Sequence, residues 1–305
     1  MDKVRVHAPA TVSNIVCGFD CLGFPLSEPF DTFELSKIDE RTIRIVNNDD
    51  FNLPIDATKN VAGVALQTIM GAANVDFGVE FVSNKTIKPG SGIGSSAASA
   101  CGAVVALNAL LDNRFSEMEL VEFAMAGEQL ASGTRHADNV APCIFGGFVL
   151  VRSVDPIDIV RLDYPQLWAT VIHPQIEIKT AEARALLPAN VPLKDAVKQW
   201  SNLGAFVAAL ANDDYPLMSR SMEDLIVEPV RSKLIPKFQA VKEASMQAGA
   251  IGGGISGSGP SMFMLSETNE TAVAVEKAMS GVYSTTGIGF NTYVSPVDPT
   301  GVRLA

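Results

Sequence analysis

PGSGIGSSAAS, residues 89–99, places glycines at 90, 92 and 94 among serines at 91, 95, 96 and 99, and runs directly into the small, apolar stretch ACGAVVALNALL. A glycine-rich turn lets backbone amides approach a ligand without interference from Cβ atoms. The unpaired amides of a following helix add a partial positive charge at its N-terminus. The segment is therefore read as a strand-to-helix turn shaped to hold an anion, and a phosphate fits that geometry.

Three kinds of turn compete for it. A Walker A loop needs a lysine after its last glycine to reach the terminal phosphates, whereas Gly94 is followed by Ser95. A dinucleotide-binding turn needs a strand running into the first glycine and an acidic ribose partner about 20 residues further on. Here the apolar run from Phe77 to Val82 stops early, Lys88 and Pro89 intervene, and the first acid downstream is Asp112, where the helix is expected to end. A tight turn with no ligand is the third reading. The hydroxyls among the glycines count against it, because serine oxygens can bind phosphate or a metal ion.

At 305 residues, 47% hydrophobic and 19% charged, the chain has a globular composition and is long enough for two packed domains. Its formal charge of −11 comes with no cluster of lysines and arginines, which predicts no nucleic-acid partner. No apolar run reaches the roughly 20 residues of a membrane span. The start MDKVRVHAPATVSN lacks the apolar core of a signal peptide, so the expectation is a cytoplasmic protein with no membrane partner. Cys17, Cys21, Cys101 and Cys143 show no zinc-like spacing and are read as reduced thiols, Cys101 as a packing residue. An acidic protein that binds phosphate has to raise positive potential locally, from amides, a helix terminus and a metal ion.

Periodicity supplies the frame. KVRVHAP alternates as a half-buried strand, FDTFELSKI and TIRIVN continue that pattern, and VAGVALQTIMGAA has apolar residues at helical spacing. Helices are predicted over 97–111 and 117–132, the first packed closely on a sheet. Residues 193–218 read as largely helical, 234–248 as a further helix, and LWATVIHP, MFML and GFNTYVSPV as strands. Between Ser153 and Asp163 the chain turns polar, which predicts a domain boundary. Residues 1–155 would form a first domain carrying the glycine loop, and 156–305 a second that completes the site. A second glycine cluster, GAIGGGISGSGPSMFML, exits into a strand rather than a helix, so the two clusters are not a repeat. The sum is an α+β protein of two domains.

Three segments together resemble one family, the GHMP kinases. APATVSNIVCGFDCLG (8–23) is similar to its first motif, PGSGIGSSAAS to its phosphate loop and GGGISGSGPS (252–261) to its third motif, in matching order and spacing. A fourth segment, HADNVAPCIFGG (136–147), resembles the homoserine kinase branch in particular. The chain departs from the pattern at Ile15, Val16 and Cys17, where Leu-Gly-Pro is frequent, at Ile93 for leucine, and at Lys237, where glycine commonly follows Ile-Pro.

The resemblance implies a two-domain GHMP kinase fold, with an N-terminal ribosomal-protein-S5-like α/β domain and a C-terminal ferredoxin-like α+β domain. It implies ATP-dependent phosphorylation of the L-homoserine hydroxyl to O-phospho-L-homoserine in threonine biosynthesis, with Mg²⁺, and a homodimer. By the same resemblance Pro89, Gly90, Ser91, Gly92, Ile93, Gly94, Ser95, Ser96, Ala97, Ala98 and Ser99 wrap the nucleotide phosphates, and Ser96 and Glu128 hold Mg²⁺. Asn14 and Asp20 would take the ammonium end and hydroxyl side of the substrate, Arg184 and Arg231 its carboxylate, and His136 would line the pocket. Asn60 reads equally as a nucleotide contact or as a helix N-cap.

In relatives such as mevalonate kinase an aspartate general base resembles position 139, but Asn139 has an amide that cannot accept a proton at neutral pH. The expectation is direct attack of the hydroxyl on the γ-phosphate, with Asn139 orienting the substrate and the proton lost to phosphate oxygen or water. Three alternatives compete. Asn139 and the paired arginines speak against a mevalonate, sugar or shikimate kinase of the same superfamily. The Ser96 and Glu128 pair speaks against a silent binding homologue, and Pro89 with the missing acid against a nicotinamide-dependent dehydrogenase.

Overall fold

The computed structural model describes residues 2–178 and 180–305. Strands β1 (Lys3–Ser13), β2 (Leu22–Ile38) and β3 (Ile43–Asn47) lead to helix α1 (Val61–Ala73) and strand β4 (Gly78–Asn84). Helices α2 (Ser95–Leu110), α3 (Glu117–Ser132) and α4 (Val140–Phe145) follow, then the hairpin β5 (Phe148–Val154) and β6 (Ile157–Leu162). These strands form a seven-stranded sheet in the order β11-β1-β2-β4-β3, with β5 on β2 and β6 on β5; β11 is the short segment Arg303–Leu304 that returns to pair with β1. Only β3 and β4 run parallel in it.

The remaining elements are β7 (Trp168–Pro174), α5 (Thr180–Ala185), α6 (Leu193–Ala211), α7 (Tyr215–Ser221), α8 (Glu228–Arg231), α9 (Phe238–Gln247), β8 (Gly252–Ile255), β9 (Met262–Ser266), α10 (Asn269–Tyr283) and β10 (Phe290–Pro296). Their strands make a four-stranded antiparallel sheet, β10-β7-β9-β8. Its two faces serve two cores, and strand alternation divides them. Phe263 and Leu265 join the large core shared with the first sheet, while Met262 and Met264 face the smaller core under α9 and α10. Among the described residues no helix is long and apolar enough to cross a membrane.

Small side chains decide where α2 sits. A Cβ at Gly102 would meet the Phe33 ring at 2.4 Å, so the helix lies on β2 more closely than any side chain would permit. Beneath its first turn a fully buried ion pair joins Lys85 to Asp31. The Lys85 ammonium also donates to the Ser95 carbonyl (3.1 Å) and the Ser99 hydroxyl (2.9 Å). Asp31 accepts from the amides of Thr86 (2.7 Å) and Ile87 (2.8 Å). The end of β4 and the start of α2 are thereby fastened together at the base of the glycine loop.

Several expected boundaries move. Residues 193–218 hold two helices, because Asp213 turns left-handed (φ 54°), Asp214 caps α7 through the Leu217 amide, and Pro216 cannot donate to a continuing helix. The helix expected from 234 starts at Phe238, after a left-handed Lys237 (φ 62°). That conformation explains why glycine is common at this position. The polar stretch 153–163 is the tip and edge strand of the β5–β6 hairpin, and both strands belong to the first sheet. The chain passes to the second sheet between Leu162 and Trp168.

Lys85→Met would leave the Asp31 carboxylate buried without its cation. Urea unfolding is expected to show a loss of about 3–5 kcal/mol. Unchanged stability would mean that the Thr86 and Ile87 amides suffice for Asp31.

Candidate active site

The two glycine clusters close over one another. Gly92 sits at φ +85°, and a Cβ there would come within 2.6 Å of the Gly259 carbonyl oxygen and 2.8 Å of that of Ser256. The Ser256 hydroxyl donates to the Gly92 carbonyl (2.7 Å). Along the same seam the Ser261 amide donates to the Ser91 carbonyl (3.2 Å), and the Gly257 amide to the Ser13 carbonyl (3.3 Å). The third motif therefore backs the phosphate loop and the end of β1, a role its sequence did not disclose.

A cavity of about 490 Å³ lies beside this seam. Pro89, Gly90, Gly92, Gly94, Ser95, Ser96 and Ser99 line it, whereas Ser91, Ile93, Ala97 and Ala98 are buried off its wall. Gly94 is the N-cap of α2, left-handed at φ 69° and without a side chain to cap it. The first-turn amides of a sixteen-residue helix thus end at the wall formed by Gly94, Ser95 and Ser96. Asn60 resolves as the N-cap of α1: its Oδ1 accepts from the Ala62 (2.9 Å) and Gly63 (3.2 Å) amides while its Nδ2 donates to Pro54. It also lines the cavity, next to the apolar Leu53, Val61 and Phe81.

Ser96 and Glu128 both line the cavity, and the Ser96 side chain lies close enough to favour the charged form of the Glu128 carboxyl. Burial pushes the Glu128 carboxyl up to about 7, the nearby Ser96 hydroxyl opposes that shift, and the charge of Asp138 adds to it. Among the described residues no group of three or more His, Cys, Asp or Glu is placed to hold a metal. Two hard oxygen donors on a phosphate-facing wall do fit Mg²⁺, which takes one or two protein ligands and keeps its waters.

The opposite wall carries both signs of charge. Arg184 donates Nη2 to both Asp20 oxygens at 2.9 Å. Arg231 is buried, and its guanidinium donates to the carbonyls of Ala183 (3.2 Å) and Gly257 (3.3 Å). Asn14 is held by Gly257 (2.7 Å) and in turn accepts from the Asp20 amide (3.0 Å), so it shapes the loop that presents Asp20. His136 stands 3.9 Å from Asp20. Burial holds this imidazole below its usual range, Asp20 opposes, and Arg184 and Arg231 add to the lowering.

Asn139 is fixed by two partners. Its Oδ1 accepts from the Thr11 hydroxyl (2.7 Å) and its Nδ2 donates to the Ser13 hydroxyl (2.9 Å). Next to Asn139, Asp138 is a buried carboxyl that burial and the negative charge of Asp20 raise to about 6, while the Ser13 side chain opposes the rise. Asp138, Ser13 and Lys85 line the cavity and were not singled out from the sequence. Asp138 had the clearest signal, standing between His136 and Asn139 in the segment 136–147 already singled out by its resemblance.

An uncapped helix terminus, a Ser–Glu pair and a two-signed pocket in one cavity are the parts of a small-molecule phosphotransferase. The sequence matches the GHMP kinases N terminal domain over residues 58–147 and the GHMP kinases C terminal domain over 206–285. The chain belongs to the GHMP kinases, and its α+β architecture is theirs. Over its full length it is 40% identical to the homoserine kinase of Chlorobaculum tepidum, of which it covers 98%. The crystal structure of homoserine kinase from Cytophaga hutchinsonii matches with a TM-score of 0.97 at 47% identity, covering 100% of this chain and 98% of that one. Mevalonate kinase from L. major, solved in complex with R-mevalonate, shares the fold at 16% identity, with a TM-score of 0.73 over 97% of this chain and 96% of that one.

Gly92→Ala is expected to force the two glycine clusters apart. ADP affinity, measured by isothermal titration calorimetry, should fall at least about tenfold, the equivalent of ~1.4 kcal/mol.

Proposed function

We propose that this chain is a homoserine kinase, transferring the γ-phosphoryl group of ATP to the side-chain hydroxyl of L-homoserine in threonine biosynthesis, in the cytoplasm. The observation that carries this reading is one cavity with a phosphate cradle on one side and a zwitterion receptor on the other. The full-length relatives named homoserine kinase support it.

The triphosphate lies on the loop at 89–99, against the amides of α2, with the nucleobase among Leu53, Val61 and Phe81. Ser96 and Glu128 would hold Mg²⁺, which would supply positive charge to the nucleotide phosphates. Asp20 and Asp138 repel one another, which helps to raise Asp138, and an ammonium placed near both relieves that repulsion. The amino group of the substrate therefore goes there, beside Asn14. Its carboxylate goes to Arg231, whose present acceptors are carbonyls, and to Arg184, which exchanges Asp20 for it.

Asn139, immobilised by Thr11 and Ser13, orients the hydroxyl but cannot take its proton. The substrate oxygen attacks the γ-phosphorus, the bond to the β–γ bridging oxygen breaks, and ADP leaves. The hydroxyl proton passes to a γ-phosphoryl oxygen or to water. His136, held toward its neutral form, borders the pocket without adding a third cation.

ADP release by purified protein with ATP and Mg²⁺ should be stimulated by L-homoserine and not by L-serine, mevalonate or galactose. Glu128→Gln should need more Mg²⁺ to reach half its maximal rate. Stimulation by mevalonate or galactose in place of homoserine would replace the assignment. The KM for L-homoserine should rise about tenfold between pH 7 and pH 5. Asp138 is ionised above about 6 and attracts the ammonium, and protonation below that value removes the attraction. Asp138→Asn should have a raised KM that no longer follows pH over this range.

A further inference from the structure

Phe19, in the loop 14–20, reaches both arginines without a charge of its own. The Arg231 guanidinium carbon lies 5.1 Å from its ring centroid and that of Arg184 5.6 Å. Both distances fall within the range in which a ring quadrupole attracts a cation. The two guanidiniums are close enough that burial and then the charge of Arg184 both weaken ionisation of Arg231. Two like charges in a partly dry pocket tend to separate unless something attracts both.

The loop fixes where the ring stands. The Gly18 amide donates to the Asn14 carbonyl (2.9 Å), the Leu22 amide to the Gly18 carbonyl (2.9 Å), and the Asp20 amide to Asn14 Oδ1. Arg184 is now held by two adjacent side chains, Asp20 through a two-oxygen ion pair and Phe19 through its ring. Once a substrate carboxylate takes Arg184 away from Asp20, the ring is the side chain of this loop that still holds that guanidinium beside Arg231, ready for both to meet the carboxylate.

We infer that Phe19 is a positioning residue for carboxylate recognition: its ring holds Arg184 and Arg231 together as one receptor and so makes the site selective for acceptors that carry an α-carboxylate. The inference rests on the substrate orientation proposed above. Its ligand class is a short ω-hydroxy α-amino acid, as opposed to an amino alcohol of the same length.

The test compares L-homoserine with 3-aminopropan-1-ol, which keeps the ammonium and the hydroxyl and lacks the carboxylate, in wild type, Phe19→Leu, Phe19→Tyr and Arg231→Gln. Phe19→Leu should raise the KM for L-homoserine about tenfold. In the same variant kcat should fall less than about threefold, and the KM for ATP and the inhibition constant of 3-aminopropan-1-ol should stay near the wild-type values. Phe19→Tyr, which retains a ring, should restore most of the affinity for L-homoserine. Equal weakening of both acceptors in Phe19→Leu would indicate a loop-shape role and overturn the inference, as would an unchanged KM. If Arg231→Gln weakens both acceptors alike, the orientation itself is wrong and the inference falls with it. If Arg231→Gln discriminates between them and Phe19→Leu does not, only the role of Phe19 is lost.

Discussion

The cavity depends on a contact in which no side chain can take part: the backbone of Gly92 against the carbonyls of Ser256 and Gly259. The phosphate loop belongs to the first sheet and its backing to the second, so this contact sets the distance between the two halves at the place where chemistry requires accuracy. A Cβ on Gly92 would have to displace backbone, not a flexible side-chain tip, and the loop amides would move with it. Displacements of about 1 Å in a reacting assembly are enough to cost a hundredfold in rate. The hydrogen bonds from Ser256, Gly257 and Ser261 then hold the seam closed from the other side. Gly102 under Phe33 repeats the solution one layer down, where it seats the whole of α2.

With the spacing fixed, the next problem is charge. The chain carries −11, and the cavity adds Asp20, Glu128 and Asp138 to a place meant for a polyanion. Lys85 borders the cavity, but its ammonium is committed to Asp31, the Ser95 carbonyl and Ser99. As a neutral pair it contributes little field, and its effect is geometric: it keeps the first turn of α2 aimed at the wall. Positive potential comes instead from aligned amides, which cannot be lost by protonation or rotation, from Lys59, which also lines the cavity, and from Arg184 and Arg231 at the other end. In the proposed complex these three acids each have a cation to answer to, Glu128 the metal and Asp20 with Asp138 the substrate ammonium.

Much of this was legible in the chain. The loop at 89–99, the helices around it and the residues that meet in the cavity announced themselves by glycine spacing, periodicity and motif. What stayed hidden shares a cause, since each case depends on a neighbour that is distant in sequence. Asp138 is an ordinary loop acid until Asp20 and burial raise it, and Lys85 is an ordinary charge until Asp31 is placed beneath it. The polarity of 153–163 reads as a domain boundary because β6 is an edge strand with no fully buried residue, and its pairing with β5 leaves no composition signal. Polarity identifies exposure, and an edge strand and a linker are both exposed.

The departure at Ile15, Val16 and Cys17 shows how a missing glycine can be tolerated. Asn14, Ile15 and Val16 are left-handed in succession, at φ 74°, 38° and 56°, a conformation that β-branched residues resist at a cost of about 1–3 kcal/mol each. Ile15 and Val16 are buried at 0% and 5% exposure, and burying side chains of that size contributes about 1.5–3 kcal/mol apiece. The two effects are of similar size, so packing can hold a turn that backbone preference would abandon. The Asn14 amide, bonded to Gly257 and to the Asp20 backbone, then pins the strained turn to the third motif. The seam that sets the phosphate loop thus also sets the loop bearing Phe19 and Asp20. Here the strained backbone is held at one end by Asn14 on Gly257, a residue the seam already fixes, and closed at the other by the Asp20 amide on Asn14.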